Sequence, residues 1–215
     1  MFADRKEAAL LLANALEKYK GEKVIVLGIP RGGAETAYYA AHFLNAEFSL
    51  LIVRKLGHPR DPEYAFGAMA EDGTVYYNPF AEIELSQEAI DTVEEQQQKE
   101  IERRKQIFRK GQPLPEIKNK TVIIVDDGIA TGATIIAAIK MCQKKEAGKI
   151  VVAAPVASER IEKELLKEAD EVVILETPAF FHAVSQAYES FCNLTDQQAL
   201  AFMERWEKEK NIVKP

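Results

Sequence analysis

Only two cysteines, Cys142 and Cys192, occur in the 215 residues, and neither has C-x-x-C or Cys/His spacing. That excludes a disulfide-stapled scaffold and a zinc ribbon, and it points to free thiols in a reducing compartment. No segment reaches the roughly 18 to 20 apolar residues of a membrane-spanning helix. The apolar run at 8–13 follows Arg5 and Lys6, as a signal peptide would. However, Asp4 and Glu7 occupy the flank that should be positive, and Leu12, Ala15, Leu16 and Tyr19 repeat at helical spacing. A cytoplasmic protein is expected. Positive charge is also lacking: the formal net charge is −6, so there is no general footprint for nucleic acid or an anionic membrane. Any anionic ligand must be held locally. Internal repeats and low-complexity linkers are absent, and the length suits a single domain over 1–215.

What the chain does have is concentrated at 121–134, T-V-I-I-V-D-D-G-I-A-T-G-A-T. Val122, Ile123, Ile124 and Val125 suit a parallel strand covered on both faces, where apolar residues run on without alternating. Such strands deliver function at their C-terminal ends. Asp126 and Asp127 emerge there, and residues 128–134 turn the chain into a helix over 135–145 whose first N–H groups are left free. Two acids therefore stand beside an anion cradle.

The same strand, loop, helix order recurs. Asp4 with Glu7 reads as a capping box that opens a helix ending at Gly21. A strand at 23–27, the loop Gly28-Ile29-Pro30-Arg31-Gly32-Gly33, a helix at 34–45 and a strand at 48–53 make a βαβ unit. Residues 54–63 are rich in Pro, Gly and charge and read as a long mobile loop. An Asp-Gly turn at 72–73 joins two short strands into a hairpin. Ser86 caps a charged helix ending near Lys110 and Gly111, whose polar surface reads as a solvated face or as a contact with another subunit. Strands at 149–153 and 171–175, with a helix at 158–167 between them, continue the pattern, and Thr195 with Gln198 caps a final helix. The expected fold is α/β: a Rossmann-like parallel sheet of about five strands flanked by helices, with an inserted hairpin and helix at 54–118 and a C-terminal segment from 176 onward.

In a parallel sheet the loops at 28–33, 54–64 and 126–134 meet at one edge, and their glycines, cations and acids suit a ligand with phosphates and hydroxyls. There is no G-x-x-x-x-G-K-[ST], and the acids directly precede the loop, unlike the dinucleotide fingerprint. Carboxylates one sugar's width from a phosphate cradle describe a 5-phosphorylated pentose. The run V-I-I-V-D-D-G-I-A-T-G-A-T resembles the phosphoribosyl diphosphate (PRPP) motif of the type I phosphoribosyltransferases. L-G-I-P-R-G-G, V-R-K-L-G, E-Y-A-F-G-A and D-E-V-V-I-L-E-T-P extend that likeness over nearly the whole chain.

The resemblance implies that Asp126 and Asp127 bind the ribose hydroxyls, while Ala130, Thr131, Gly132, Ala133 and Thr134 hold the 5-phosphate. It makes Arg31, Gly32 and Gly33 the pyrophosphate loop, with Arg31-Gly32 as the candidate cis peptide, and it makes Arg31, Arg54 and Lys55 the catalytic cations. It also implies Mg²⁺ carried mainly on substrate oxygens, with no direct protein ligands, and a homodimer. Ala130 departs from the hypoxanthine-guanine enzymes, which have an Asp there, and so argues against a 6-oxopurine acceptor. Glu63 and Glu176 are candidate replacements. His42 and His58 lack metal spacing. His182, Phe180 and Phe181 follow the last strand, where the family builds a hood over the base, and either that role or core packing fits them.

The implied activity is Mg²⁺-dependent transfer of the phosphoribosyl group from PRPP to a nitrogenous acceptor, with release of pyrophosphate. The alternative is a non-catalytic PRPP or nucleotide sensor on the same fold, and a phosphoribosyl hydrolase is a third possibility. No nucleic-acid or membrane partner is expected.

Overall fold

The computed structural model describes residues 1–78 and 85–212, without the side chains of 62, 63, 211 and 212. Its elements run α1 (Arg5–Ala15), β1 (Val24–Gly28), α2 (Gly32–Leu44), β2 (Glu47–Leu50), β3 (Val53–His58), β4 (Asp61–Ala70) and β5 (Val75–Tyr77). Then follow α3 (Gln87–Arg109), β6 (Thr121–Val125), α4 (Ala133–Lys144), β7 (Lys149–Val156), α5 (Glu159–Leu165), β8 (Glu171–Glu176) and α6 (Asp196–Ile212).

Five strands form a parallel sheet in the order β2-β1-β6-β7-β8. The unbroken apolar runs have a simple cause. Val26, Ile123, Val125, Val151 and Ala153 pack into the layer of α1, α2, α3 and α6. Ile25, Leu27, Val122, Ile124, Val152 and Ala154 pack on the opposite face with α4 and α5. Both sides of the runs in β1, β6 and β7 are therefore dry, whereas β8 at the sheet edge is half-buried throughout.

Caps and turns fall where the local chemistry asks. The Asp4 carboxylate accepts from the Glu7 N–H at 2.8 Å, and Thr195 and Gln198 exchange side-chain and backbone bonds at 2.9 and 3.2 Å. Gly73 adopts φ +82°, and the Ala70 N–H donates to Thr74 across the turn between β4 and β5.

Three expectations are corrected. The first helix stops at Ala15 and tightens to a 3-10 turn at Glu17–Tyr19 before Gly21. Residues 54–63, expected to be an irregular loop, belong to β3 and β4, two arms of an antiparallel sheet. Register shifts around Gly57 absorb the irregular sequence, while Val53 and Leu56 point into the core. Pro62 lies beyond the pairing of β4 with β5, where its missing N–H costs no ladder bond. Finally, the charged helix α3 is more than a solvated face. Arg104 and Arg109 are buried along with Ile90, Val93, Ile101 and Phe108.

Candidate active site

β1 leads through α2 to β2 on one side of the sheet, whereas β6, β7 and β8 continue on the other. The switch in direction lies between β1 and β6, and ligands of such sheets bind outside the strand ends at that point. A cavity of about 1500 Å³ occupies it, lined by Pro30, Arg31, Gly32, Arg54, Lys55 and the loop beyond β6, among others.

The two acids have different surroundings. Asp126 is partly exposed to the cavity, and its Oδ1 accepts from the Asp127 N–H at 2.9 Å. Burial, with the Asp127 charge next to it, raises its carboxyl well above the usual range, and Lys55 opposes that shift. Asp127 is buried, and its Oδ2 accepts from Arg5 Nε at 2.6 Å. The Tyr188 hydroxyl donates to the Asp127 backbone oxygen, and burial pushes the Tyr188 pKa up, which keeps it a donor. Gly32 explains how the loops fit so closely. A Cβ there would lie 1.8 Å from Asp127 Oδ2, so a side chain cannot be accommodated.

On the far side, Gly132 takes φ +76° at the head of α4, a helix with no side-chain cap. Its open N-terminus supplies N–H groups and the positive end of a helix dipole. Ala130, Thr131, Gly132 and Thr134 line the cavity, whereas Ala133 and Gly33 are buried behind its wall. Three cations face the acids. Arg31 is exposed, 3.9 Å from Asp196. Arg54 donates to Gln97 at 3.0 Å, and burial, then the neighbouring Arg104, lower its pKa. It remains a cation at any physiological pH. Lys55 follows it on β3.

The structure brings together every expected cavity residue except Gly33 and Ala133. The cis peptide bond is Pro30-Arg31, one residue before the expected Arg31-Gly32. Glu176 is not a cavity acid, because its Oε1 accepts from the Met1 amino group at 3.0 Å. The Glu63 side chain lies outside the described residues. His182 lines the cavity, but Phe180 is 86% exposed away from it and Phe181 packs beside Phe2 and Tyr188. His58 also lines the cavity and accepts from the Arg60 N–H at 3.2 Å, whereas His42 lies on α2 near Glu209. Among the described residues, no group of three or more His, Cys, Asp and Glu could hold a metal. Arg5, Tyr188, Gln97 and Arg104 were not legible as site residues. Arg5, Gln97 and Arg104 reach the cavity from helices remote in sequence from the strand ends, Tyr188 meets the Asp127 backbone outside its lining, and no local signal marks them.

Fold and cavity define an α/β domain with paired acids, an open helix N-terminus and three cations at a topological switch point. The chain belongs to the phosphoribosyl transferase family: the model described as "Phosphoribosyl transferase domain" matches residues 4–189. Two Mycobacterium tuberculosis proteins, each named "Putative phosphoribosyl transferase", are 42% identical to it over 207 residues. The matches cover 95% of this chain and 47% of theirs, so the chain spans about half the length of these curated relatives. Among solved structures, the crystal structure of TT1426 from Thermus thermophilus is 36% identical with a TM-score of 0.80, covering 95% of this chain and 98% of that one. A shorter stretch of 58 residues is 48% identical to the transcriptional regulator GfcR of Methanosphaera stadtmanae, covering 27% of each.

Proposed function

We propose that this chain transfers the 5-phosphoribosyl group of PRPP to a nitrogenous acceptor and releases pyrophosphate. The observation that carries the reading is the juxtaposition of Asp126 and Asp127 with the uncapped N-terminus of α4 in one cavity. The backbone N–H groups and hydroxyls of 130–134 take the 5-phosphate, and the two carboxylates take the ribose hydroxyls. Arg5 engages one oxygen of Asp127, the Asp127 N–H engages one oxygen of Asp126, and the two carboxyl groups adjoin each other at the cavity.

In the transfer, the acceptor nitrogen's lone pair forms the new bond to C1 as the C1–O pair departs with pyrophosphate. Negative charge grows on the leaving group, and Arg31, Arg54 and Lys55 are the cations positioned to stabilise it. Oxygen donors are the hard ligands that Mg²⁺ prefers, and of the paired acids Asp126 is the one not held by Arg5. The residues therefore fit a hydrated ion carried largely on substrate oxygens, which supplies charge neutralisation at the diphosphate. Cys142 is buried, Cys192 is exposed and both are free thiols, which supports a reducing, cytoplasmic setting. Among the described residues, no helix is long and apolar enough to cross a membrane. A homodimer is part of the same reading.

The local likeness to a transcriptional regulator favours one second reading, a sensor that binds PRPP and does not turn it over. Both are tested by calorimetric PRPP titration alongside pyrophosphate release with a panel of purines, pyrimidines and other ring nitrogens. Release with one acceptor supports the transferase. Binding without release across the panel favours the sensor, and no PRPP binding would sink both.

A further inference from the structure

Arg5 is the buried cation nearest the site, yet it comes from α1, 122 residues before the acid it touches. Its side chain is only 7% exposed. Nε donates to Asp127 Oδ2 and Nη1 to the Cys192 carbonyl, both at 2.6 Å, and the guanidinium lies 4.1 Å above the Phe191 ring. Three contacts thus fix the group at the cavity's edge, and a buried charge is expensive to assemble unless the charge it meets must stay in place. Around it residues 2–3 are laced to the segment before α6. The Phe2 N–H donates to Ala187, the Glu189 N–H to Phe2 and the Ser190 N–H to Ala3, at 2.8, 2.8 and 3.0 Å.

Asp127 is therefore gripped on three sides. Arg5 holds one carboxylate oxygen, Tyr188 holds its backbone oxygen, and the Gly32 backbone closes over the carboxylate without room for a Cβ. Arg5 holds Oδ2 alone, the Asp126 carboxyl lies beside that of Asp127, and the residue borders the cavity. A carboxylate with one oxygen fixed by a rigid fork presents the other in a defined direction.

We propose that Arg5 is a positioning residue that aims Asp127 at a ribose hydroxyl, so that the packing of residues 2–5 against the segment 187–192 sets how well the cavity distinguishes a ribose phosphate from its deoxy analogues. The inference rests on the ribose-phosphate reading of the cavity. Its chemistry is not that of a contact to substrate: Arg5 acts through Asp127, and what it governs is hydroxyl recognition and not phosphate binding.

The experiment compares, by calorimetry, the affinities for ribose 5-phosphate, 2-deoxyribose 5-phosphate and 3-deoxyribose 5-phosphate in the wild type and in Arg5→Gln. The wild type should prefer the ribose compound over one or both analogues by about tenfold or more, the worth of a charged hydrogen bond. In R5Q that preference should collapse, while affinity for the preferred hydroxyl's deoxy analogue changes less than about twofold. Because R5Q strands a buried carboxylate, the double variant Arg5→Gln/Asp127→Asn removes that charge and should be soluble and folded with the same lost preference. Arg5→Lys, which keeps the charge but loses the fork, should restore part of it. Equal weakening of all three ligands with the preference intact would reduce Arg5 to a structural role and overturn the inference alone. No binding of any of them by the wild type would overturn the cavity reading and the inference together.

Discussion

Two buried arginine–carboxylate pairs of equal length behave as different devices. Arg109 meets Glu71 at 2.6 Å beneath the β3-β4-β5 sheet, and Arg5 meets Asp127 at 2.6 Å beside the cavity. In the first, the other Glu71 oxygen accepts from the Ile52 N–H at 2.9 Å, and Arg109 also donates to Leu50 at 3.2 Å. Both Glu71 oxygens are thus satisfied, tying α3 and the end of β4 to the segment leaving β2, although Arg109 Nε is buried without a partner among the described residues. In the second, Arg5 holds only one of the two acid oxygens, and the acid borders the cavity. Burial alone does not distinguish structural from functional charge; what does is whether the protein satisfies both oxygens.

The sharpest way to break the comparison is Arg109→Met, which strands Glu71 without a counterion. It should cost about 3 to 5 kcal/mol of unfolding free energy by denaturant titration. Ribose 5-phosphate affinity of the folded fraction should not change. If affinity falls in step with stability, the two pairs are not separate devices. Converting Asp126 and Asp127 together to Asn should do the opposite: a loss of about a hundredfold or more in ribose 5-phosphate affinity with far-UV circular dichroism unaltered. Unchanged affinity would remove the acids from the ligand site.

Smaller effects sharpen the picture. Asp126 has a folded pKa raised by burial and by Asp127, so the folded state binds its proton more tightly than the unfolded chain does. Its contribution to stability is present below the ordinary carboxylate range and is lost as pH rises through the raised folded value. Asp126→Asn should therefore raise the melting temperature at neutral pH, with the gain shrinking toward about pH 4. A gain that grows on acidification would contradict the assigned direction. Smallest of all, Thr195→Ala removes the α6 cap and should cost about 1 kcal/mol, read in the same denaturant titration. A loss as large as that of Arg109→Met would mean the cap reaches into the Asp196 ion network.

Much of the molecule was legible without coordinates. The run at 122–125 predicts a doubly covered strand because only a parallel central strand needs apolar residues on both faces, and that is how Ile123 and Ile124 divide between the two layers. The loop after it announces acids and an open helix end because both follow from adjacent residues. The Ser86, Thr195 and Gly73 signals work for the same reason: each is settled within four residues. Where the reading failed, the deciding partner was distant. Residues 54–63 look irregular by composition, yet β4 pairs with them and a bulge at Gly57 absorbs the misfit. Arg109 looks like surface charge until Glu71, 38 residues away, is found beside it.

The order of strands, the turns and the chemistry of the acid loop are thus properties of short stretches, set by backbone sterics, capping and apolar periodicity. Which acid stays open is a different kind of property. It depends on an arginine 122 residues away and a tyrosine 61 residues away, brought to Asp127 when α1 and the segment before α6 pack together. Contacts across such separations form only when the core that buries them has formed. Desolvation then makes each charge depend on its partner, which is why the tertiary structure alone assigns Asp126 and Asp127 different surroundings.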